Sequence, residues 1–170
     1  APMIHQLQIV GPERSKYSWT RRQCVPLFDH YCVFLRNAVG QDNYAAFVST
    51  ILWSAVSCVC LAQASLLLLY GCGGGPALWL AGCSVAYFGL FAVLWSMLVF
   101  YHLFLAYQGL TTWEMVQFSR RDPPAYLLDE ISGTYKNPYD RGLLRNVGAR
   151  LCPQRSSSSD RGVGDDFCRV

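Results

Sequence analysis

Charged residues are scarce in this chain and are absent from its middle. They make up 15% of the 170 residues, whereas a soluble domain typically contains about 25%. Residues 43–113 contain no Asp, Glu, Lys or Arg. A charge-free stretch of this length excludes an ordinary soluble domain and a disordered chain. The net charge of +3 is small and scattered, so we expect no nucleic-acid partner.

Two apolar runs fill the charge-free stretch, at residues 47–70 and 77–107. Each exceeds the roughly 20 residues with which an α-helix crosses a hydrocarbon core. The Gly- and Pro-rich residues 71–76 between them stop a helix and turn the chain. The alternative, two buried helices of a soluble protein, is disfavoured because such helices rarely exceed about 14 residues without a polar face. The pattern predicts an all-α membrane protein built on a transmembrane helical hairpin.

Lys and Arg are confined to the flanks of this hairpin. Five precede it, nine follow it, and none lies in the turn. The positive-inside rule therefore predicts that both termini are cytosolic and that the turn is lumenal. Aromatic residues near the helix ends would form an interfacial belt in the bilayer; they are Tyr44, Tyr70, Trp79, Tyr101 and Tyr107.

This topology divides the chain into four regions. Residues 1–46 form a loop-rich cytosolic segment, and residues 47–107 form the two transmembrane helices with their short lumenal turn. Residues 108–152 form a second cytosolic segment with a short helix. Residues 153–170 contain four consecutive serines and several glycines, a composition that predicts a disordered tail.

The cysteines outside the apolar runs lack the C-x2-4-C spacing of structural zinc sites. His5, Cys24, His30 and Cys32 could supply four ligands, but this set would use every nitrogen and sulfur ligand available before the hairpin. We therefore predict no metal site. A reducing cytosol favours thiols over a disulfide framework, so these cysteines call for a catalytic explanation.

Asp29, His30 and Cys32 place a carboxylate, an imidazole and a thiol within four residues. After a tight turn the imidazole could take the thiol proton, and the carboxylate could fix the imidazole tautomer. The resulting thiolate would be the nucleophile. Alone, such a cluster is more often incidental than catalytic. Its position about a dozen residues before the first apolar run would bring a lipid-borne electrophile within reach.

Three motifs lie in order along the chain. The first comprises Arg14-Ser15-Lys16, Cys24-Val25, Phe28-Asp29-His30-Tyr31-Cys32, Asn37, Val39-Gly40, Asn43-Tyr44 and Phe47. After the hairpin come Thr111-Thr112-Trp113-Glu114 and then Asn137-Pro138-Tyr139-Asp140-Arg141-Gly142, followed by Asn146. In this order they resemble the cysteine-rich domain, the TTxE motif and the C-terminal motif of the DHHC protein S-acyltransferases. A lone D-H-x-C would be weak, but three motifs around a hairpin are specific.

The resemblance implies a protein S-palmitoyltransferase with acyl-coenzyme A as its co-substrate and no tightly bound cofactor. Cys32 would take the fatty acyl group as a thioester and pass it to juxtamembrane cysteines of client proteins. His30 would be the base, and Asp29 would orient it. The lipid bilayer would be a further partner, and the family's usual location implies endoplasmic reticulum or Golgi membranes.

The resemblance also assigns supporting residues. Thr112 would hydrogen-bond to the Asp29 region, and Glu114 and Asn146 belong to the two later motifs. Arg14 and Lys16 match basic positions that approach coenzyme A phosphates in the family, although juxtamembrane charge alone also explains them.

The chain departs from the family in two respects. The family holds two zinc ions with eight Cys and His ligands, and only Cys24 remains at such a position; the replacements include Tyr17, Ser18, Arg21, Tyr31 and Ala38. The family has at least four membrane helices, and this chain contains the later pair. The alternative is therefore a catalytically silent membrane adaptor, or a fragment that lacks the first two transmembrane helices.

Overall fold

The computed structural model describes residues 14–20, 22–71 and 73–152. Its elements in chain order are β1 (Lys16–Ser18), β2 (Gln23–Val25), β3 (His30–Cys32), β4 (Asn37–Val39), α1 (Tyr44–Gly71), α2 (Pro76–Gln108), α3 (Thr112–Ser119), a 3-10 turn (Ala125–Leu127) and α4 (Leu143–Leu151). The predicted tail at residues 153–170 and the candidate ligand His5 lie outside the described residues.

The chain forms two compact units. One is Ala46–Phe104, which contains most of the two long helices. The other combines Ala1–Ala45 with Leu105–Val170, so it brings together the segments before and after the apolar runs. The assignment of the four sequence regions to cytosol, membrane and tail stays a prediction.

Helices α1 and α2 are long and apolar enough to cross a membrane. They contain 28 and 33 residues, or about 42 and about 50 Å at 1.5 Å per residue, and each reaches a mean hydropathy of 2.0. Large apolar side chains on both are exposed, including Leu67 at 74% and Phe100 at 70%. The alternative of two helices buried in a soluble core is therefore wrong. Helix α2 begins at Pro76. Proline suits this first position because it has no N–H, and an N–H here would have no partner within the helix.

The segment before α1 contains β-structure, so the all-α expectation is wrong there. β1 pairs antiparallel with β2, and β3 pairs antiparallel with β4. Each strand has three residues, which is too short to show the alternation of apolar and polar residues that identifies a strand in a sequence. Cross-strand hydrogen bonds therefore order a segment that composition predicts to be loop-rich.

Gly40 lies where the end of β4 approaches the end of β2. A Cβ atom at Gly40 would collide with the Val25 side chain and the Pro26 carbonyl oxygen, so only glycine allows this close approach. The Gly40 amide donates to Asn43 Oδ1 at 2.9 Å, and its carbonyl accepts from the Tyr44 amide at 2.9 Å. These bonds connect the second hairpin directly to the start of α1.

Candidate active site

The carboxylate of Asp29 is the centre of a buried hydrogen-bond cluster. Its side chain is fully buried, and its two oxygens accept from three other residues. Oδ1 accepts from the Thr112 amide at 3.1 Å and from Arg150 at 2.7 Å. Oδ2 accepts from the Thr112 hydroxyl at 2.6 Å and from His30 Nδ1 at 2.8 Å. An ionised carboxylate only accepts, so this set of donors fits the charged form.

The surroundings of Asp29 keep it ionised. Burial alone would raise the pKa of Asp29, but the His30 hydrogen bond, the Arg150 charge and the two Thr112 hydrogen bonds outweigh it and hold the pKa well below the usual value. Because the charged carboxylate has no proton to share, His30 must donate from Nδ1. An imidazole that donates from Nδ1 carries its basic lone pair on Nε2 whenever it is neutral.

His30 and Cys32 are both on strand β3. The tight turn expected between them is wrong, since the segment is extended and pairs with β4. Residues two apart on a strand share one face, with their Cα atoms about 6.6 Å apart, while Tyr31 lies on the other face and is exposed. Cys32 is a buried free thiol. The strand therefore presents the imidazole and the thiol on the same side.

The Thr111–Glu114 sequence forms a capping box at the start of α3. The Thr111 hydroxyl accepts from the Glu114 amide, and Glu114 accepts from the Thr111 amide at 2.7 Å. The amides of Thr112 and Trp113, in the first turn, donate to the side chain and the backbone carbonyl of Asp29. Two orphan donors of the helix N-terminus are thereby satisfied. The contact expected between Thr112 and the Asp29 region is present.

Glu114 is a second buried carboxylate. Arg14 donates to it through Nε and a terminal nitrogen, both at 2.7 Å, and the Tyr126 hydroxyl donates at 3.0 Å. Burial, followed by the negative charge of Glu114, raises the pKa of Tyr126 well above its usual value. The Arg14 guanidinium also lies 4.3 Å from the centre of the Tyr139 ring. Arg14 is thus engaged within the fold.

Lys16 is placed differently from Arg14. Its Nζ lies 3.3 Å from the centre of the Trp113 ring, a cation–π contact. Partial burial lowers the pKa of Lys16 to about 8. A small pocket beside it is also lined by Ser15, Phe28 and Tyr126.

Four consecutive carbonyl oxygens, two at the end of α2 and two just after it, accept from side chains. Tyr107 accepts from Asn146 at 2.8 Å, Gln108 from Asn137 at 2.7 Å, Gly109 from Arg14 at 2.8 Å and Leu110 from Arg150 at 3.0 Å. The last carbonyls of a helix have no partner within it, so these side chains satisfy groups that burial would otherwise penalise. Asn146 therefore connects the C-terminal motif to this helix end.

Sequence reasoning missed Arg150 and misassigned Tyr44. Arg150 is buried on α4 and contacts Asp29, while its guanidinium carbon lies 4.2 Å from the centre of the Tyr44 ring. Tyr44 is only 1% exposed, so the interfacial-belt expectation is wrong for it. The available signal was spacing, since Asn146 and Arg150 are four apart and share a helix face.

The residues at the family's zinc-ligand positions do not fit a zinc ion. The Ala38 side chain has no atom that could bind a metal and is buried. Tyr31 is exposed to solvent. Cys24 is disulfide-bonded, so the expectation of reduced cysteines is wrong at this position and its sulfur is not a thiolate ligand. Tyr17 packs edge-on against Trp19, with ring centres 5.0 Å apart. The absence of bound zinc stays a prediction.

A family model described as DHHC palmitoyltransferase matches residues 3–119. The chain belongs to the DHHC palmitoyltransferase family. It is 32% identical to human palmitoyltransferase ZDHHC12 and 30% identical to the mouse protein of that name. These comparisons cover 88% and 85% of this chain, and 55% and 53% of the relatives.

The chain is also similar to a plant protein. The chain is 26% identical to probable protein S-acyltransferase 15 of Arabidopsis thaliana, over 84% of this chain and 57% of the plant protein. The chain thus spans about half the length of the curated relatives it matches. The family resemblance stated from the three motifs is confirmed.

Proposed function

We propose that this protein is a protein S-palmitoyltransferase in which Cys32 carries the acyl group. The observation that supports this most is the buried Asp29 carboxylate, which accepts a hydrogen bond from His30, two residues from the free thiol of Cys32. Family membership indicates the class of reaction, and the hydrogen-bond cluster around Asp29 indicates which residues carry it out. Acyl-coenzyme A is the co-substrate, and cysteines of client proteins are the acceptors.

In the first step the neutral His30 imidazole takes the Cys32 proton at Nε2. The thiolate attacks the thioester carbonyl carbon, the bond to Cys32 sulfur forms, and the bond to coenzyme A sulfur breaks. The imidazolium returns its proton to the leaving coenzyme A thiolate. Asp29 stabilises the imidazolium while it exists and keeps the Nδ1 proton in place.

In the second step the neutral His30 imidazole takes the proton of a client cysteine thiol, and the resulting thiolate attacks the same acyl carbon. The bond to Cys32 sulfur breaks, and the Cys32 thiolate takes the proton back from His30. No outside oxidant, reductant or metal is needed, because each step exchanges one thioester for another. Client cysteines near the bilayer fit the short chain distance between Cys32 and the start of α1.

Among the two predicted phosphate-binding residues, we assign the contact with coenzyme A to Lys16. Arg14 already donates two hydrogen bonds to Glu114 and one to the Gly109 carbonyl, so its main role is structural. Lys16 contacts a tryptophan ring and can exchange that contact for an anion.

We propose that α1 and α2 span the membrane as a hairpin. Their length, their mean hydropathy and their exposed apolar side chains support this. The distribution of Lys and Arg supports cytosolic termini. Family membership supports the endoplasmic reticulum or Golgi membrane. Residues 1–46 and 108–152 then belong to the cytosol, and residues 153–170 form a tail.

The test is thioester formation on Cys32. Full-length protein that includes the upstream transmembrane helices is incubated in detergent micelles with an alkyne-bearing palmitoyl-coenzyme A, and hydroxylamine-sensitive label is measured. Wild type is expected to carry label, and Cys32→Ser to carry none. Cys152→Ser is the matched control, because Cys152 is an exposed free thiol, and it should retain label. His30→Ala should slow labelling by about 10²–10⁴-fold, and Asp29→Ala by less.

Two results would contradict the proposal. Label that persists on Cys32→Ser would place the acyl group on another cysteine. An unlabelled but folded wild-type protein would favour the silent adaptor, which has the same fold and lacks the chemistry.

A further inference from the structure

Arg150 is a buried cation that the reaction scheme does not use. Its side chain is only 4% exposed, and it lies on α4, more than a hundred positions after Asp29. An unpaired buried charge is costly, so the folded state tolerates one only where its partners compensate for the lost hydration. The printed hydrogen-bond partners of Arg150 are the Asp29 carboxylate and the Leu110 carbonyl.

The guanidinium is used incompletely as a hydrogen-bond donor. Both bonds come from one terminal nitrogen, while Nε and the other terminal nitrogen are buried without a partner among the described residues. A structural arginine would normally use its fork to satisfy several acceptors. Here the Tyr44 ring, 4.2 Å away, supports the cation instead. The arrangement directs the charge to a single carboxylate oxygen.

Arg150 and His30 contact different oxygens of Asp29. Arg150 donates to Oδ1, and His30 donates to Oδ2. With Thr112 bonded to both oxygens, the carboxylate cannot rotate without losing bonds to residues of α3 and α4. By holding Oδ1, Arg150 therefore keeps Oδ2 of Asp29 in place as the hydrogen-bond acceptor of the His30 imidazole.

We propose that Arg150 is a positioning residue for acyl transfer, acting through the Asp29 carboxylate to hold the His30 imidazole in its productive orientation. This inference rests on the proposed function. Without Arg150, Asp29 loses an ion pair and one of the donors that orient it, so it holds the His30 imidazole less firmly on the strand face that His30 shares with Cys32. Acyl-coenzyme A binding should be unaffected, because Arg150 is buried away from solvent.

The test compares Arg150→Met, Arg150→Lys, Asp29→Asn and the double variant Arg150→Met/Asp29→Asn. Initial rates of Cys32 thioester formation are measured over a range of palmitoyl-coenzyme A concentrations. Arg150→Met should lower the maximal rate by about 10–100-fold, less than the loss of the base itself, with KM unchanged. Arg150→Lys should restore part of the rate, and Arg150→Met should add under about 3-fold to Asp29→Asn. Arg145→Met, on the exposed side of α4, is the matched control.

Two kinetic outcomes would overturn the proposal. Effects of Arg150→Met and Asp29→Asn that multiply in the double variant would show that Arg150 acts independently of Asp29. A raised KM with an unchanged maximal rate would make Arg150 a substrate-binding residue. If Arg150→Met does not fold, Arg150→Lys takes its place in the double variant; a smaller loss of maximal rate is then expected, which should again add little to that of Asp29→Asn.

A second measurement keeps this inference separate from the proposed function. Alkylation of Cys32 by iodoacetamide near pH 7 needs the thiolate but no acyl-coenzyme A; mass spectrometry follows the Cys32 and Cys152 peptides. Arg150→Met and Asp29→Asn should each slow alkylation at Cys32 and leave Cys152 unchanged. If wild type forms no thioester but this pattern holds, the proposed function fails and the positioning role stands. If only Asp29→Asn slows alkylation, the positioning role fails.

Discussion

Arg14 and Glu114 are 100 positions apart in the sequence and form a two-point ion pair with both nitrogen–oxygen distances at 2.7 Å. The side chains are 8% and 0% exposed. Asp29 and Arg150 form a second ion pair with the charges the other way round, because here the acid precedes the apolar runs and the base follows them. Two buried ion pairs of opposite polarity therefore join the segments on either side of the long helices.

We expect the Arg14–Glu114 pair to show strong energetic coupling. Arg14→Met or Glu114→Gln should each lower the free energy of unfolding by about 3–5 kcal/mol, because each leaves a buried group without its partner. The double variant should lose clearly less than the sum. Thermal unfolding in detergent, followed by tryptophan fluorescence, measures this, with Arg145→Met as the exposed control. Additive losses would show that the two side chains act independently.

Lys16 should make acyl-coenzyme A use pH-dependent. Because burial lowers the pKa of Lys16 to about 8, its positive charge disappears as the pH rises through that value. The kcat/KM for palmitoyl-coenzyme A should therefore fall above about pH 8. Lys16→Arg should remove this fall, since guanidinium stays charged, and Lys16→Gln should be low throughout. An unchanged descending limb in Lys16→Arg would exclude Lys16 as its source.

The lowered pKa of Lys16 also affects stability with a defined sign. Between about pH 8 and 10.5, the usual pKa of a lysine, the unfolded chain binds more protons than the folded one. The free energy of unfolding contributed by Lys16 therefore rises with pH across that window.

Metal removal should leave this protein folded. We expect purified protein to contain no stoichiometric zinc, because Ala38 and Tyr31 cannot replace thiolate or imidazole ligands and Cys24 is disulfide-bonded. Elemental analysis checks the zinc content, and thermal unfolding with and without 1,10-phenanthroline checks its contribution. One or two zinc ions per chain, or a lower Tm with the chelator, would contradict this expectation.

Gly109 should tolerate no side chain. Its φ is +67°, and a Cβ atom would lie 3.2 Å from the Tyr139 carbonyl oxygen and 3.4 Å from the Asn146 amide nitrogen. Gly109→Ala should destabilise the protein by about 1–3 kcal/mol. The matched control is Gly148→Ala in α4, where nothing lies within 4 Å; it should be neutral or stabilising by up to about 1 kcal/mol. Equal effects of the two substitutions in thermal unfolding would refute the role given to Gly109.

The membrane topology can be tested with inserted glycosylation acceptor sites. A site at Gly74 should be modified and a site near Ser157 should not, because Lys and Arg flank the hairpin and are missing from its turn. A change in electrophoretic mobility that glycosidase reverses measures modification. Modification of the tail site alone would contradict this prediction, because it would place the tail in the lumen and the turn in the cytosol.

The amino-acid sequence alone determined the two long helices, the approximate turn and the family. The signals for these features are local in the sequence. They are the uninterrupted apolar composition of the two runs, the Gly- and Pro-rich residues 71–76 between them, and motif residues at fixed spacing. Asp29, His30 and Cys32 were also identifiable, because three chemically distinct groups lie within four residues. The Thr111–Glu114 pattern contains a capping box that could have been recognised from its spacing.

Only the tertiary structure decided how these residues meet. The strands β1 to β4 are too short to leave a periodic pattern, and their pairing depends on backbone hydrogen bonds that no side-chain pattern records. Arg150 and Tyr44 have ordinary neighbours in the sequence. In the fold, Arg150 forms the ion pair with Asp29, and the Tyr44 ring packs against the Arg150 guanidinium. Burial turns Arg150 from one of 14 basic residues into a specific partner, since a charge removed from water must find a compensating one. That requirement acts between positions far apart in the chain, which is why local patterns could not show it.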